Sequence, residues 1–265
     1  MPLSIAIASG KGGVGKTSIA INIALALQSS GWRTCLLDTD FGVANAHILL
    51  GIDPEFSIGD FLEGEKSFDA LCSKGPLGVQ FISGGSANVN ILNLDTATRF
   101  NIIRATESLV GQMDALVVDV PAGASDATLD FVSAADNQVV VLVGEPTSFM
   151  DAYSLIKAAH LEKQVNHFHI VVNMANSEAE AHDHFNRFRN ITARFLDVQL
   201  TLAGFLPFSN SLRRSVIERK PTFLANPKSR ESLAIQTIAT SLMKRGDHSS
   251  EGIRFFGVDN DDGKP

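Results

Sequence analysis

A single doubly wound α/β domain, with a mostly parallel sheet and helices on both faces, is the fold that three features of this sequence predict. Strand-like and helix-like runs alternate from residue 3 to about residue 245. The run Gln138-Val-Val-Val-Leu-Val143 is apolar without interruption, as a strand covered on both faces requires. A glycine-rich stretch, Ser9 to Thr17, lies between an apolar run (Leu3 to Ala8) and a helical run (Ser18 to Leu27), in a strand–loop–helix order. No fold-scale repeat or linker breaks the alternation, so residues 1–246 are read as one domain. The polar stretch 247–265 falls outside it and is expected to be a flexible tail, dispensable for stability.

The bulk composition excludes several classes. A chain of 265 residues, 45% apolar and 19% charged, can bury the core of one such domain and little more. A net charge of -7 argues against a molecule built as a whole to bind polyanions. Cys35 and Cys72 form neither a metal spacing nor a disulfide framework, and Cys35 sits in an apolar run that reads as core. No leader precedes the first strand and no apolar run approaches 18 residues, so a cytoplasmic protein is expected.

Taken in order, the first loop carries the clearest chemistry. Gly10, Gly15, Lys16 and Thr17 match G-x-x-x-x-G-K-[ST], the phosphate-cradling loop. Glycines let backbone N–H groups turn inward around phosphate oxygens, and the helix that follows adds free N–H groups and a positive dipole end. Lys16 can neutralise the outer phosphates and the Thr17 hydroxyl can ligate magnesium. The candidate phosphate site is therefore Gly10, Lys11, Gly12, Gly13, Val14, Gly15, Lys16, Thr17 and Ser18.

Gly31 closes the helix, and the second strand, Arg33 to Leu37, ends in Asp38-Thr39-Asp40. Alternation puts both carboxylates on one side of the chain, where Asp38 can hold hydrated magnesium and Asp40 can orient an attacking water; a helix cap is the other use of such an aspartate. Residues 52–94 read as irregular, with one short strand at Val79 to Ile82. Asp95 caps a helix whose Phe100, Ile103 and Val110 share a face. The strand Ala115 to Asp119 ends in a carboxylate suited to accept from magnesium-bound water, and Val120 to Gly123 turns where a γ-phosphate sensor would lie. The strand His169 to Asn173 ends in an amide that can pair with an adenine edge or make a turn. Phe185, Phe188, Ile191 and Phe195 follow as a core stripe, with Arg187, Arg189 and Arg194 on the other side. The last strand is Leu202 to Pro207. The cations of Ser211 to Pro221 after it read as a solvated face or a partner contact.

The loop Lys11-Gly-Gly-Val-Gly-Lys16-Thr17 resembles the deviant Walker A box KGGxGKT of the MinD/ParA ATPases. Two further stretches are similar to the FleN/FlhG branch, the regulators of flagellar number. Asp38 to Gly51 resembles DADLGLANVDVLLG, with Phe41 and Val43 for leucines and His47 for an aspartate. Glu145 to Lys157 resembles EPTSITDAYALIK, with Phe149 and Met150 substituted. Val120 and Pro121 depart from the family's Asp-Thr-Ala-Ala-Gly. Ser209 replaces the acid of its adenine loop, where Pro207 and Phe208 match. Ile253 to Val258 resembles the late LEFFVERL segment and leads into Asp259, Asp261 and Asp262, charges that anionic lipid would repel.

The resemblance implies an ATP- and Mg2+-dependent homodimer that hydrolyses ATP slowly. Lys11 would contact the partner's nucleotide, Lys16 the β/γ-phosphates, and Asp38 and Asp119 the waters of a magnesium ligated by Thr17. Asp40 would orient the nucleophile, and Asn173, Pro207 and Phe208 would meet the base. It implies restraint of a FleQ-like transcription activator, with an FlhF-like GTPase as a further partner. The location implied is cytoplasmic, with peripheral contact at the inner face of the membrane as a variant. A positioning or partitioning ATPase on DNA, membrane or cargo is the alternative, and direct DNA binding is disfavoured by the net charge. An iron–sulfur role is rejected, because two cysteines per subunit could share a cluster only if both lined a dimer axis.

Overall fold

Strand β1 (Leu3–Ala8) is buried along its whole length because neighbours pair with it on both edges. The computed structural model describes residues 1–41, 45–85, 94–245 and 252–257. The elements run β1, α1 (Lys16–Ser29), β2 (Thr34–Asp38), α2 (Ala46–Leu50), α3 (Ile58–Leu62), β3 (Ser73–Lys74), β4 (Gln80–Ile82), α4 (Thr96–Ala105), β5 (Ala115–Asp119), α5 (Asp126–Ser133), β6 (Asn137–Val143), α6 (Pro146–Lys163), β7 (His167–Ala175), α7 (Glu178–Thr192), β8 (Gln199–Pro207), α8 (Asn210–Ile217), α9 (Thr222–Ala225) and α10 (Arg230–Ser241). The strands form one sheet in the order β3-β4-β2-β5-β1-β6-β7-β8, parallel except for β3 against β4. The fold is thus the doubly wound one expected.

The pleat divides the core. Ala6 and Ala8 of β1, with Cys35, Leu37, Leu116 and Val118, face one layer, built on α4 to α7. Leu3, Ile5 and Ile7, with Leu36, Val117 and Val139, face the other, built on α1, α9 and α10. Helix α1 is buried from Ile19 to Leu27 without a polar face, since α10, α2 and α9 cover what the sheet does not. Its buried Asn22 is satisfied, donating to Ser18 O at 2.7 Å and accepting from Phe223 N at 2.9 Å.

Four sequence expectations need correction. Of the stretch 52–94, the described residues 52–85 are more ordered than their glycines and prolines suggest. Ser57 and Asp60 close a capping box on α3, and Ser73–Lys74 pairs antiparallel with Gln80–Ile82. Val110 does not share the buried face of α4; it lies beyond the helix and is 46% exposed. The α7 stripe is Ala181, Phe185, Phe188 and Thr192; Ile191, in the helix but off that stripe, is 40% exposed, and Phe195, beyond the helix end at Thr192, is 71% exposed.

The fourth concerns the domain boundary at 246. Phe255 and Phe256 are 4% exposed and belong to the core on the α4–α7 side. The Phe255 ring stacks on Phe131 at 6.5 Å and its N–H donates to Ala134 O at 3.1 Å, while Phe256 N donates to Thr106 Oγ1 at 2.9 Å. Two adjacent aromatic side chains bury enough apolar area to tie down a polar segment, so the folded unit reaches Gly257. Val43 and the acidic residues Asp259, Asp261 and Asp262 lie outside the described residues.

Candidate functional site

All parallel strands deliver their carboxyl ends to one edge of the sheet, and the chain's direction across the sheet reverses around β1. That is where open α/β sheets leave a crevice. A cleft of about 840 Å³ lies there, lined by Gly12, Gly13, Gly15, Lys16, Thr17 and Ser18 at one end and by Asn173, Pro207, Phe208 and Ser209 at the other. Its volume suits a nucleotide-sized ligand. Asp40, half-buried, is also part of its wall.

The loop between β1 and α1 uses its glycines for different reasons. Gly13 and Gly15 adopt φ of 79° and 88°, which L side chains resist. A Cβ on Gly15 would also stand 2.5 Å from Asn173 Nδ2. Gly10 permits close approach, since a Cβ there would come within 2.1 Å of the Asp151 backbone in α6. Val14 is buried, its carbonyl accepting from Asn173 Nδ2 at 2.7 Å. Gly10, Lys11 and Val14 are therefore parts of the loop's mounting rather than of the cleft wall.

Beneath the cleft lie the carboxylates. Asp38 and Asp119 are register partners across β2 and β5, so their Cα atoms sit one strand spacing apart. Both are buried. Burial, then the facing Asp119, push the Asp38 carboxyl up to about 7, against the Asp40 and Ala46 N–H donors and Lys16. Asp119 is also raised by burial, against the pull of Lys16 and a hydrogen bond from Thr17. Lys16 Nζ makes a buried ion pair with Asp119 and lies 3.5 Å from Thr17 Oγ1. Two carboxylates thus share one ammonium, with a hydroxyl beside it. An excess of buried negative charge and an all-oxygen donor set fit magnesium, which keeps most of its waters and takes few protein ligands. Among the described residues no three His, Cys, Asp or Glu side chains cluster to cage a metal alone.

The loop after β5 sits on the first loop. Val120 N donates to Ile7 O at 3.1 Å and Gly123 N to Ser9 O at 2.9 Å, and Ala122 reaches the cleft. At the other end, Asn173 is 5% exposed with both amide ends engaged, its oxygen accepting from Met174 N at 2.9 Å. Its amide joins the end of β7 to the phosphate loop. Met174, missed in the sequence, lines the cleft with φ of 59° and is 44% exposed. Nothing local marked it, because its backbone is set by Asn173. Phe208, 61% exposed, is tethered by its N–H to Ala175 O at 2.9 Å. Lys11 turns away from the cleft, its Nζ 3.2 Å from Glu145 Oε2.

A family model described as ParA, NUBPL iron-transfer P-loop NTPase, matches residues 2–243. The antiactivator FleN of Pseudomonas aeruginosa is 37% identical over 235 residues, covering 89% of this chain and 84% of FleN. The flagellum site-determining protein YlxH of Helicobacter pylori is 29% identical, covering 95% of this chain and 87% of that protein. The MinC:MinD cell division protein complex of Aquifex aeolicus contains a chain that superposes with a TM-score of 0.74 at 25% identity, covering 94% of this chain and 98% of that one. No helix among the described residues is long and apolar enough to cross a membrane. A match over nearly the whole length, on a sheet whose first loop and strand-end carboxylates build one phosphate cleft, leads to a single assignment: the chain belongs to the ParA/MinD family of P-loop NTPases, whose members are ATPases.

Proposed function

We propose that this ATPase is a dimerising switch of the FleN/FlhG kind, in which magnesium-ATP closes two subunits face to face and slow hydrolysis releases them. The observation that carries the reading is the position of Lys11. It is a lysine of the phosphate loop that does not line its own cleft. Gly12 and Gly13 beside it have nothing within 4 Å of a Cβ position, so the loop tip is open to a second subunit. On this reading Lys16 leaves Asp119 to hold the β/γ-phosphates. Thr17, Asp38 and Asp119 hold magnesium and its waters, and that ion when bound neutralises phosphate charge. Asp40 orients the attacking water, Lys11 reaches the partner's nucleotide, and Pro207 and Phe208 flank the base. The similarity to FleN, and to YlxH, supports a flagellar output: restraint of a FleQ-like activator, with an FlhF-like GTPase as a further partner.

Light scattering after size exclusion tests the switch. With magnesium-ATP the wild type forms a transient dimer, Lys11→Ala binds ATP but stays monomeric, and Asp40→Ala gives a persistent dimer. Loss of a carboxylate beside the γ-phosphate relieves repulsion as well as stopping hydrolysis. A wild type that remains monomeric in saturating magnesium-ATP sinks the proposal.

A further inference from the structure

Lys11 is not loose at the tip of its loop. Its Nζ lies 3.2 Å from Glu145 Oε2 and 3.4 Å from Thr147 Oγ1, at the start of α6. Three contacts fix where the lysine is mounted. The Ser9 hydroxyl donates to Lys11 O at 2.9 Å. Gly10 rests against the Asp151 backbone of α6 with no room for a side chain. Glu145, the N-cap of α6, is itself anchored by its N–H to Val143 O at 2.8 Å. Backbone and acceptors are thus held in one arrangement, while the lysine side chain is 41% and the glutamate 62% exposed. The four-carbon stem of the lysine can swing off this point without moving the loop.

We propose that Glu145 and Thr147 are positioning residues that dock Lys11 on its own subunit and so compete with its use on a partner's nucleotide. The proposal rests on the dimer-switch reading above. An ammonium in contact with Glu145 cannot also sit on phosphate oxygens of another subunit, so association must break the contact. The helix N-terminus favours the charge on Glu145 whether or not the lysine is present, which leaves the dock ready for its return on dissociation. An exposed ion pair is weak, so its removal tightens the ATP-dependent dimer by about two- to fivefold per subunit rather than by orders of magnitude. The two subunits of a symmetric dimer multiply the effect.

Glu145→Gln removes the charge while keeping the shape, and two measurements read it. In the first, the protein without nucleotide is treated with an N-hydroxysuccinimide ester, and labelling of the Lys11 amine is followed by peptide mass spectrometry. Labelling of Lys11 is expected to rise in Glu145→Gln, and in Thr147→Val to a smaller degree, with the other lysines unchanged. In the second, sedimentation velocity gives the dimer dissociation constant in saturating magnesium-ATP, with Asp40→Ala in both proteins to suppress hydrolysis. Glu145→Gln is expected to lower that constant. Unchanged labelling, or a dimer of equal or lower affinity, overturns the proposal while the switch stands. Raised labelling in a protein that never dimerises overturns both the competition and the switch, leaving a contact without that use.

Discussion

Phe255→Ala removes a side chain that the polar composition of residues 247–265 makes look dispensable. The ring is 4% exposed, lies nearly parallel to Phe131 with an interplanar angle of 13°, and sits on a segment held by the Phe255 N–H to Ala134 O bond and the Phe256 N–H to Thr106 Oγ1 bond. Truncating a buried phenylalanine costs about 3–5 kcal/mol in lost transfer energy and residual cavity. The terminal segment can relax around the hole, which points to the low end, about 3 kcal/mol. For a chain of this size that is a fall in Tm of about 6–12 °C. Differential scanning fluorimetry and calorimetry without nucleotide measure it. Leu161→Ala, 63% exposed on α6, is the control and should shift stability by no more than about 0.5 kcal/mol. ATP turnover at a permissive temperature should survive, since Phe255 touches neither Lys16 nor the strand-end carboxylates. A Phe255→Ala protein that melts within about 2 °C of the wild type, less than a single kcal/mol, would refute the packing and restore a dispensable tail.

Lys16→Ala should abolish magnesium-ATP binding in isothermal titration and also lower stability by about 3–5 kcal/mol, because Asp119 loses its buried ion-pair partner and Asp38 a nearby positive charge; undiminished ATP affinity would overturn the phosphate-site assignment. A pH effect is expected at His169, where burial, with His167 adding to it, holds the imidazole down to about 4. The folded pKa lies below the unfolded value of about 6.5, so protons bind the unfolded chain first; this stability is complete above about pH 6.5 and is lost as pH falls toward 4, by at most about 3 kcal/mol. Urea midpoints for wild type and His169→Gln between pH 7 and 4.5 measure it, and parallel pH profiles would show that the histidine does not titrate as described.

The parts of this protein that can be read from its residues are the local ones. A glycine-rich turn between an apolar run and a helix builds the same phosphate cradle wherever it occurs, because backbone N–H groups and positive φ do the work. The strand ends at Asp38 and Asp119 were legible from apolar runs and the polar residue that stops each one, whereas β7 runs two residues past Asn173 to Ala175. Boundaries that depend on where a helix stops were not: Phe195 has the spacing of the α7 stripe but lies beyond the helix end. Which ends meet depends on how the chain folds. Sheet order and register place Asp38 beside Asp119, although helices and the β3–β4 hairpin intervene between them in the chain. Folding also brings Lys11 to Glu145, 134 positions away, joins Asn173 to Val14, and sets Phe255 and Phe256 against α5 and the end of α4. Such pairings come from burying two faces of one sheet at once, and no periodicity within a single segment encodes them.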